Sequence, residues 1–501
     1  MSKQIKVKIN GKESVAVEGM SLSEIIKGDK PCGGHGKCGK CKVRARGALS
    51  VPCGTEIKML SENELADGIR LACLTFAFGD CEIETLDKFR PERILTSGEM
   101  PDFEIKPTFE KYGVAIDLGT TTLAARIYAE SGNLLGEVSC INPQQEWGAD
   151  VISRVEAALN GREGELSGSI RKAIDSIIKK LSETANISSS EIGRVVITGN
   201  TVMLSLLTEQ NVEPFSHAPF NAKRLFGETL SASSLDVSSL APTTPIYLPP
   251  CISAFVGADT ICAILATQLC QKGTSMLVDI GTNGEMAIWH NEKLTVCSTA
   301  AGPAFEGGGI SAGMRGTYGA IDKVNIQNGA LYAHVIGNGQ PEGICGSGLI
   351  DAVACMLDLE IIDESGYLED GKAIICGSVS LDQSDVRMLQ LAKSAICAGL
   401  MTLIARANVD PSDVGVLLIA GGFGNYLNKR SAARIGLLPK DLAERSTVVG
   451  NVALSGACML LMNSSCAEQA EKIAKAATVL EIATDPVFSD LYVSGMMFEK
   501  I

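Results

Sequence analysis

The chain opens on an alternation of apolar and polar positions. Ile5, Val7 and Ile9 fall on one face of an extended segment, Asn10-Gly11 supplies a tight primed turn, and Val15 and Val17 alternate again. Residues 3 to 18 are therefore predicted to form a β-hairpin. Ser21 followed by Glu24 has the form of a capping box for a short helix through Ile25 and Ile26. Residues 88 to 112, KFRPERILTSGEMPDFEIKPTFEKY, hold no sustained period and mix charges with Pro91, Pro101 and Pro107. They read as a partly extended linker that lets the preceding segment swing. Beyond it an apolar strand, Gly113-Val-Ala-Ile, runs into Asp117-Leu-Gly-Thr-Thr-Thr122, then into an alternating strand and a Ser131-Gly-Asn133 turn. The same design recurs downstream, where Met276-Leu-Val feeds Asp279-Ile-Gly-Thr-Asn-Gly-Glu285 and a second turn follows at His290-Asn291. Such an internal repeat marks a duplicated supersecondary unit. A further buried strand, Val416-Leu-Leu-Ile-Ala, ends in Gly421-Gly-Phe-Gly424-Asn425.

Composition changes this picture in three ways. A chain of 501 residues, 46% hydrophobic and 20% charged, exceeds what one core usually serves, so several domains are expected. The first residues lack the apolar centre of a signal peptide, and no later run reaches the roughly 18 apolar residues of a membrane span; a soluble, cytoplasmic protein is expected. The 17 cysteines, several inside apolar runs such as ICAIL and GACMLLM, read as reduced buried thiols. A net charge of -14 argues against nucleic acid as a partner.

Some of the cysteines are arranged for chemistry. Pro31-Cys32-Gly-Gly-His-Gly-Lys-Cys38-Gly-Lys-Cys41 is followed, after a long gap, by Cys73 inside Arg70-Leu-Ala-Cys-Leu-Thr. Three thiolates this close must curl around a compact inorganic core, with glycines turning amide N–H groups toward sulfur, and a distant fourth ligand closes the cage. With no His in place of a Cys, an all-cysteine [2Fe–2S] cluster is favoured over zinc or a Rieske centre. Cys53 and Cys81 compete with Cys73 for the fourth place but read as ordinary buried thiols. His35 reads as a solvent-facing loop residue. Lys30, Lys37, Lys40, Lys42, Arg44 and Arg46 form a basic collar, either for docking an acidic surface or as a solvated face balancing the cluster. The pattern resembles the plant-type ferredoxins over residues 3 to 87, which implies a β-grasp domain.

Each Asp-Gly-Thr turn places glycine where backbone approaches an oxyanion, hydroxyls where they donate to phosphate, and an Asp that can hold Mg2+ or its waters. Neither turn is a Walker or a Rossmann loop. Candidate phosphate contacts are Gly119, Thr120, Thr121 and Thr122 in the first turn and Gly281, Thr282, Asn283 and Gly284 in the second. Asp117 and Asp279 are the candidate Mg2+ organisers, and Glu285 and Asp259 compete to orient the attacking water. Gly346-Ser-Gly348 either adds a nucleotide contact or merely starts a helix. The third motif resembles the adenosine turn of the superfamily of acetate and sugar kinases, chaperone ATPases and actin, which implies that Gly421, Gly422 and Gly424 face adenosine.

Four further blocks sharpen the likeness: Asn142-Pro-Gln-Gln-Glu-Trp-Gly-Ala-Asp150, Ile197-Thr-Gly-Asn-Thr-Val-Met203, Ser298-Thr-Ala-Ala-Gly-Pro-Ala-Phe-Glu306-Gly-Gly-Gly309 and Cys345-Gly-Ser-Gly-Leu-Ile-Asp351. With the N-terminal cysteine pattern they resemble the reductive activators of corrinoid proteins over nearly the whole chain. The resemblance implies an α/β multidomain fold with an N-terminal ferredoxin domain over 1–87 and a linker over 88–112. Duplicated actin/hexokinase-like, ribonuclease H-like ATPase lobes then span 113–250, with family-specific additions, and 251–501. It implies a [2Fe–2S] cluster, ATP and Mg2+ as cofactors, a low-potential electron donor, and a corrinoid protein of a methyltransferase system as partner, with Co(II) reduced to Co(I) at the expense of ATP. A homodimer is a further expectation of the resemblance. Two other readings stay open: ATP-gated electron delivery to another metalloenzyme such as a radical dehydratase, and redox sensing by a nucleotide-binding protein without turnover.

Overall fold

A computed structural model of the chain describes residues 4–26, 41–85 and 96–498. Cys32, Cys38, His35, Lys30, Lys37 and Lys40 lie outside the described residues. The chain divides into two compact units, Met1–Pro91 with Pro143–Ala149, and Glu92–Asn142 with Asp150–Ile501.

In the first unit a five-stranded sheet has the order Lys12–Val17, Gln4–Ile9, Ala77–Thr85, Lys42–Leu49, Ile69–Leu71. The opening hairpin forms as its alternation predicts, with Asn10 (φ 47°) and Gly11 (φ 82°) both left-handed in the turn. Gln4–Ile9 runs parallel to Ala77–Thr85, a pairing that requires a crossover connection. Helix Leu22–Ile26 lies in that crossover, and its capping box is made: Ser21 N donates to Glu24 Oε2 at 2.8 Å and Glu24 N to Ser21 Oγ at 3.3 Å. Ile5, Val7, Leu22, Val43, Ala45 and Ile83 fill the core.

The second unit holds two six-stranded sheets. The first runs Phe226–Ser231, Pro245–Pro250, Ile192–Gly199, Tyr112–Leu118, Thr122–Ala129, Leu134–Ile141; the second runs Ser446–Gly450, Val416–Ala420, Ser275–Ile280, Asn283–His290, Lys293–Ala300, Ala477–Val479. Their centres repeat. In each, the strand entering an Asp turn pairs antiparallel with the strand leaving it and parallel with a largely buried strand on its other side, Ile192–Gly199 in the first sheet and Val416–Ala420 in the second. Strands covered on both faces read as continuous apolar runs, which is why Val-Ala-Ile, Met-Leu-Val and Leu-Leu-Ile-Ala carry so little polar alternation. Helix Val452–Met462 is buried along its whole length and packs beside helix Ala258–Thr267.

Three expectations need correction. Residues 97–108 of the anticipated linker are not free: Asn451 N donates to Ser97 O at 3.0 Å, Glu99 N to Val449 O at 2.7 Å, Lys106 N to Met462 O at 2.9 Å and Thr108 N to Leu461 O at 3.0 Å. An extended, proline-bearing chain has no partners of its own for its backbone groups, and here the end of one strand and both ends of a helix supply them. Cys53 is exposed rather than buried, standing at the N-cap of helix Gly54–Met59. Helix Gln383–Ala407 does reach the length and hydropathy of a membrane span, although 78% of that stretch is buried inside the fold; its apolar residues are interrupted by Gln390, Lys393, Ser394 and Thr402, so counting unbroken runs overlooks it. The described cysteines are all free thiols.

Candidate functional site

The two Asp turns and the glycine turn meet at one cleft of about 310 Å3 in the second unit. Asp117, Gly119, Thr120, Thr121 and Thr122 line it from the first sheet, and Asp279, Gly281, Thr282, Asn283 and Glu285 from the second. Asp259, Gly421, Gly422, Gly346 and Ser347 complete the set anticipated from sequence. Gly284 and Gly424 do not line it. A Cβ on Gly284 would strike Ile396 Cδ1, and one on Gly424 would lie 2.7 Å from Ile419 Cγ2, so both are held small by packing. Gly346 begins helix Gly346–Asp358 and also lines the cleft.

Glycine is required at two of the turns. A Cβ on Gly119 would lie 2.7 Å from Thr122 O. Gly421 has φ +91°, and a Cβ there would lie 2.6 Å from Asp279 Oδ1 and 2.9 Å from Ile280 O, so the glycine turn rests directly on the second Asp turn. The first turn is braced from below. Asn200 Nδ2 donates to Thr120 Oγ1 at 3.0 Å, Arg154 Nη2 to Thr120 O at 2.6 Å, and Asn142 Nδ2 to Gly119 O at 2.9 Å. These braces explain part of two of the quoted sequence blocks, because Asn142 and Asn200 each open one of them or sit inside it.

Five carboxyls line this cleft: Asp117, Asp259, Asp279, Glu285 and Glu306. Glu285 stands directly opposite Asp279 across two paired strands, and Asp259 lies in the first turn of helix Ala258–Thr267. Burial, together with mutual repulsion, pushes Asp259 and Asp279 up to about 7 and Glu285 well above the usual carboxylate range. Asp117 rises to about 6 for the same reason of burial, tempered by the hydrogen bond from Asn451 Nδ2 at 2.9 Å. Acids this crowded call for a cation. Among the described residues no three His, Cys, Asp or Glu side chains converge to hold a bare ion. The donor set instead fits Mg2+, which keeps several waters and binds through one or two carboxylates plus phosphate oxygens.

Asn451 and Glu306 are among the lining residues that received no role from the sequence. Asn451 follows Gly450 at a strand end, and its Oδ1 accepts from Leu454 N at 2.8 Å, capping helix Val452–Met462. An Asn just before an apolar helix is a recognisable N-cap signal, but nothing local announces its bond to Asp117. Glu306 Oε2 accepts from Thr121 Oγ1 at 2.8 Å and from Thr282 Oγ1 at 3.2 Å. Its neighbour Phe305 stacks on Phe423 of the glycine turn, centroids 5.0 Å apart.

In the first unit, Cys41 and Cys73 bring their Sγ atoms to 3.2 Å. Cys81 is buried in the sheet core and Cys53 is exposed, so of the three competing thiols Cys73 is the one in contact with Cys41. The turn bearing Cys73 is anchored by Glu56, fully buried, which receives Arg70 Nε and Nη2 at 3.0 Å each. Two members of the basic collar already have acidic partners, Lys42 with Glu64 at 2.6 Å and Arg44 with Glu84 at 2.8 Å.

Residues 273–501 match the family described as the C-terminal domain of RACo, the ASKHA domain, and residues 112–272 match the RACo middle region. The corrinoid activation enzyme RamQ of Eubacterium limosum is 34% identical over 452 residues, covering 83% of this chain and 76% of that protein. The [Co(II) methylated amine-specific corrinoid protein] reductase of Methanosarcina barkeri is 27% identical over 422 residues, covering 77% of each. Among solved structures, a reductive activator for corrinoid, iron-sulfur protein superposes with a TM-score of 0.72 at 26% identity, covering 98% of both chains.

Proposed function

The chain belongs to the reductive activators of corrinoid proteins, and from that premise we propose that it uses ATP to drive one-electron reduction of Co(II) to Co(I) in a corrinoid protein. The observation that carries the ATP half is the cleft itself, where two Asp-Gly-Thr turns from duplicated sheets and a glycine turn meet among buried carboxyls. Asp117 and Asp279 would hold Mg2+ or its waters, Thr120, Thr121, Thr282 and Asn283 would donate to phosphate oxygens, and Gly421 and Gly422 would offer flat backbone to adenosine. The two acids expected to orient water, Glu285 and Asp259, are both buried and both raised by burial and by their acidic neighbours, so either could take that part.

The electron half rests on the Cys41–Cys73 contact and on the mixed five-stranded sheet, both consistent with a β-grasp ferredoxin domain completed by Cys32 and Cys38. When bound, a [2Fe–2S] cluster supplies a one-electron carrier, at about -400 mV in plant-type proteins. Reduction of cobalt below that potential is uphill by about 2.3 kcal/mol per 100 mV. Closure of the cleft on Mg–ATP offsets this if the closed form binds the corrinoid protein in its reducible state more tightly than the open form does. The chain's residues therefore contribute selective binding, with ATP setting which form is populated.

The test is ATP turnover and Co(I) absorbance measured together under a fixed low-potential donor, with and without a Co(II)-corrinoid protein. Corrinoid-stimulated hydrolysis with Co(I) formation is expected. Co(I) formation indifferent to ATP would overturn the coupling and favour nucleotide as a mere sensor.

A further inference from the structure

The hydroxyls best placed to take a nucleotide's phosphate are already occupied. Thr121 belongs to the turn between strands Tyr112–Leu118 and Thr122–Ala129, and Thr282 to the turn between Ser275–Ile280 and Asn283–His290. These turns come from different sheets, yet both hydroxyls donate to the same oxygen, Oε2 of Glu306, at 2.8 and 3.2 Å. A single anionic oxygen thus spans the two halves of the cleft.

Glu306 is held in that position by its own short segment. Pro303–Glu306 is a single helical turn entered at Gly302 (φ +77°) and left at Gly307 (φ +77°). Gly302 N donates to Thr282 O at 2.9 Å, tying the segment to the second phosphate turn. Phe305, next to Glu306, lies against Phe423 with rings 25° from parallel, tying it to the glycine turn as well. The carboxylate is therefore presented by a segment in contact with the motifs that a nucleotide would touch.

Chemistry makes this arrangement exclusive. A carboxylate and a phosphoryl oxygen compete for the same hydroxyl donors, and two anions cannot share them at hydrogen-bonding distance without strong repulsion in a partly dry cleft. We propose that Glu306 is an internal stand-in for the nucleotide's terminal phosphate: it sets the spacing of the Thr121 and Thr282 hydroxyls in the empty protein and yields them to a phosphoryl oxygen when ATP enters. Glu306 is thereby a positioning residue that also lowers affinity for the triphosphate. The inference rests on the nucleotide reading of the cleft.

The test is calorimetric titration of the full chain with Mg–AMPPNP, comparing wild type, Glu306→Gln and Glu306→Ala. Removing a charged competitor for two donors should tighten binding about ten-fold in Glu306→Ala. Glu306→Gln should tighten it less, because the amide oxygen still accepts while the charge is gone. A merely structural Glu306 moves affinity the other way, since losing it would disorder the turns. Unchanged or weaker binding by both variants overturns the proposal; if the alanine variant melts far below wild type, the near-isosteric glutamine variant decides. Failure of the wild type itself to bind AMPPNP or ADP is a different result, and it removes the nucleotide reading together with this one.

Discussion

Glu56→Gln in the first unit tests how the Cys73 turn is held. The Glu56 carboxylate is fully buried. Its Oε1 accepts from Arg70 Nε at 3.0 Å, Leu71 N at 3.1 Å and Thr75 Oγ1 at 2.9 Å, and its Oε2 from Arg70 Nη2 at 3.0 Å and Cys53 N at 3.1 Å. Burial alone would raise its pKa, but the Arg70 guanidinium and the backbone donors hold it below the usual carboxylate range. An amide replaces one accepting oxygen with an NH2 that faces donors, and it leaves the buried Arg70 charge without its counterion. Breaking a buried pair in this way costs about 3–5 kcal/mol, or two to three and a half orders of magnitude in the opening equilibrium at about 1.4 kcal/mol per decade. Hydrogen exchange read by mass spectrometry on the peptide spanning 69–77 of the full chain gives that equilibrium locally. Protection should fall by at least a hundred-fold in the first unit, with peptides of the second unit unmoved. Protection within ten-fold of wild type would refute the claim that this pair holds the Cys73 turn.

Asp279→Asn should leave the fold intact, since the swap is nearly isosteric at a strand end, yet reduce ATP hydrolysis by orders of magnitude and Co(I) formation with it; wild-type Co(I) yield without hydrolysis would break the coupling. Asp117, Asp259 and Asp279 bind protons more tightly folded than unfolded. Between about pH 4 and about 7 the ligand-free folded chain thus carries the extra protons, and its stability falls as pH rises through that window. Melting of the second unit should drop between about pH 4.5 and about 7, less steeply in Asp279→Asn, and a steeper drop in the mutant would contradict the assignment. Cys73→Ser should abolish or shift the visible and EPR signature of the iron–sulfur-reconstituted protein, whereas Cys53→Ser and Cys81→Ser keep it; an unchanged Cys73→Ser spectrum would move the fourth ligand elsewhere.

Local rules made much of the fold legible. The Asn10-Gly11 turn, the Ser21–Glu24 capping box and the repeated strand-turn-strand pairs all form, because each is decided by residues adjacent in sequence. The cleft was legible for a related reason, since duplicated motifs on equivalent strands face a common point. What escaped depends on distant contacts. Asn451 reaches Asp117 across the fold, Glu306 gains its meaning only from two threonines on different sheets, and residues 97–108 look unstructured until the strand and helix ends that pair with them are in place. Gly284 and Gly424 were read as ligand contacts because a glycine kept small by packing, as both are here, has the same letter as one kept small for a ligand.

The strapped segment 97–108 also decides where the chain can be cut. Lys106 N and Thr108 N satisfy the terminal carbonyls of Met462 and Leu461, and Ser97 O receives the N–H of Asn451, which caps the other end of the same helix. The segment is a brace running from one end of that helix to the other, fastened at the residue that holds Asp117. A fragment beginning at residue 113 would lose the brace, expose helix-end carbonyls at the edge of an apolar core and loosen the Asn451 corner. A fragment beginning just before Ser97 keeps these bonds, so the smallest second unit worth expressing alone starts about sixteen residues upstream of its first long strand.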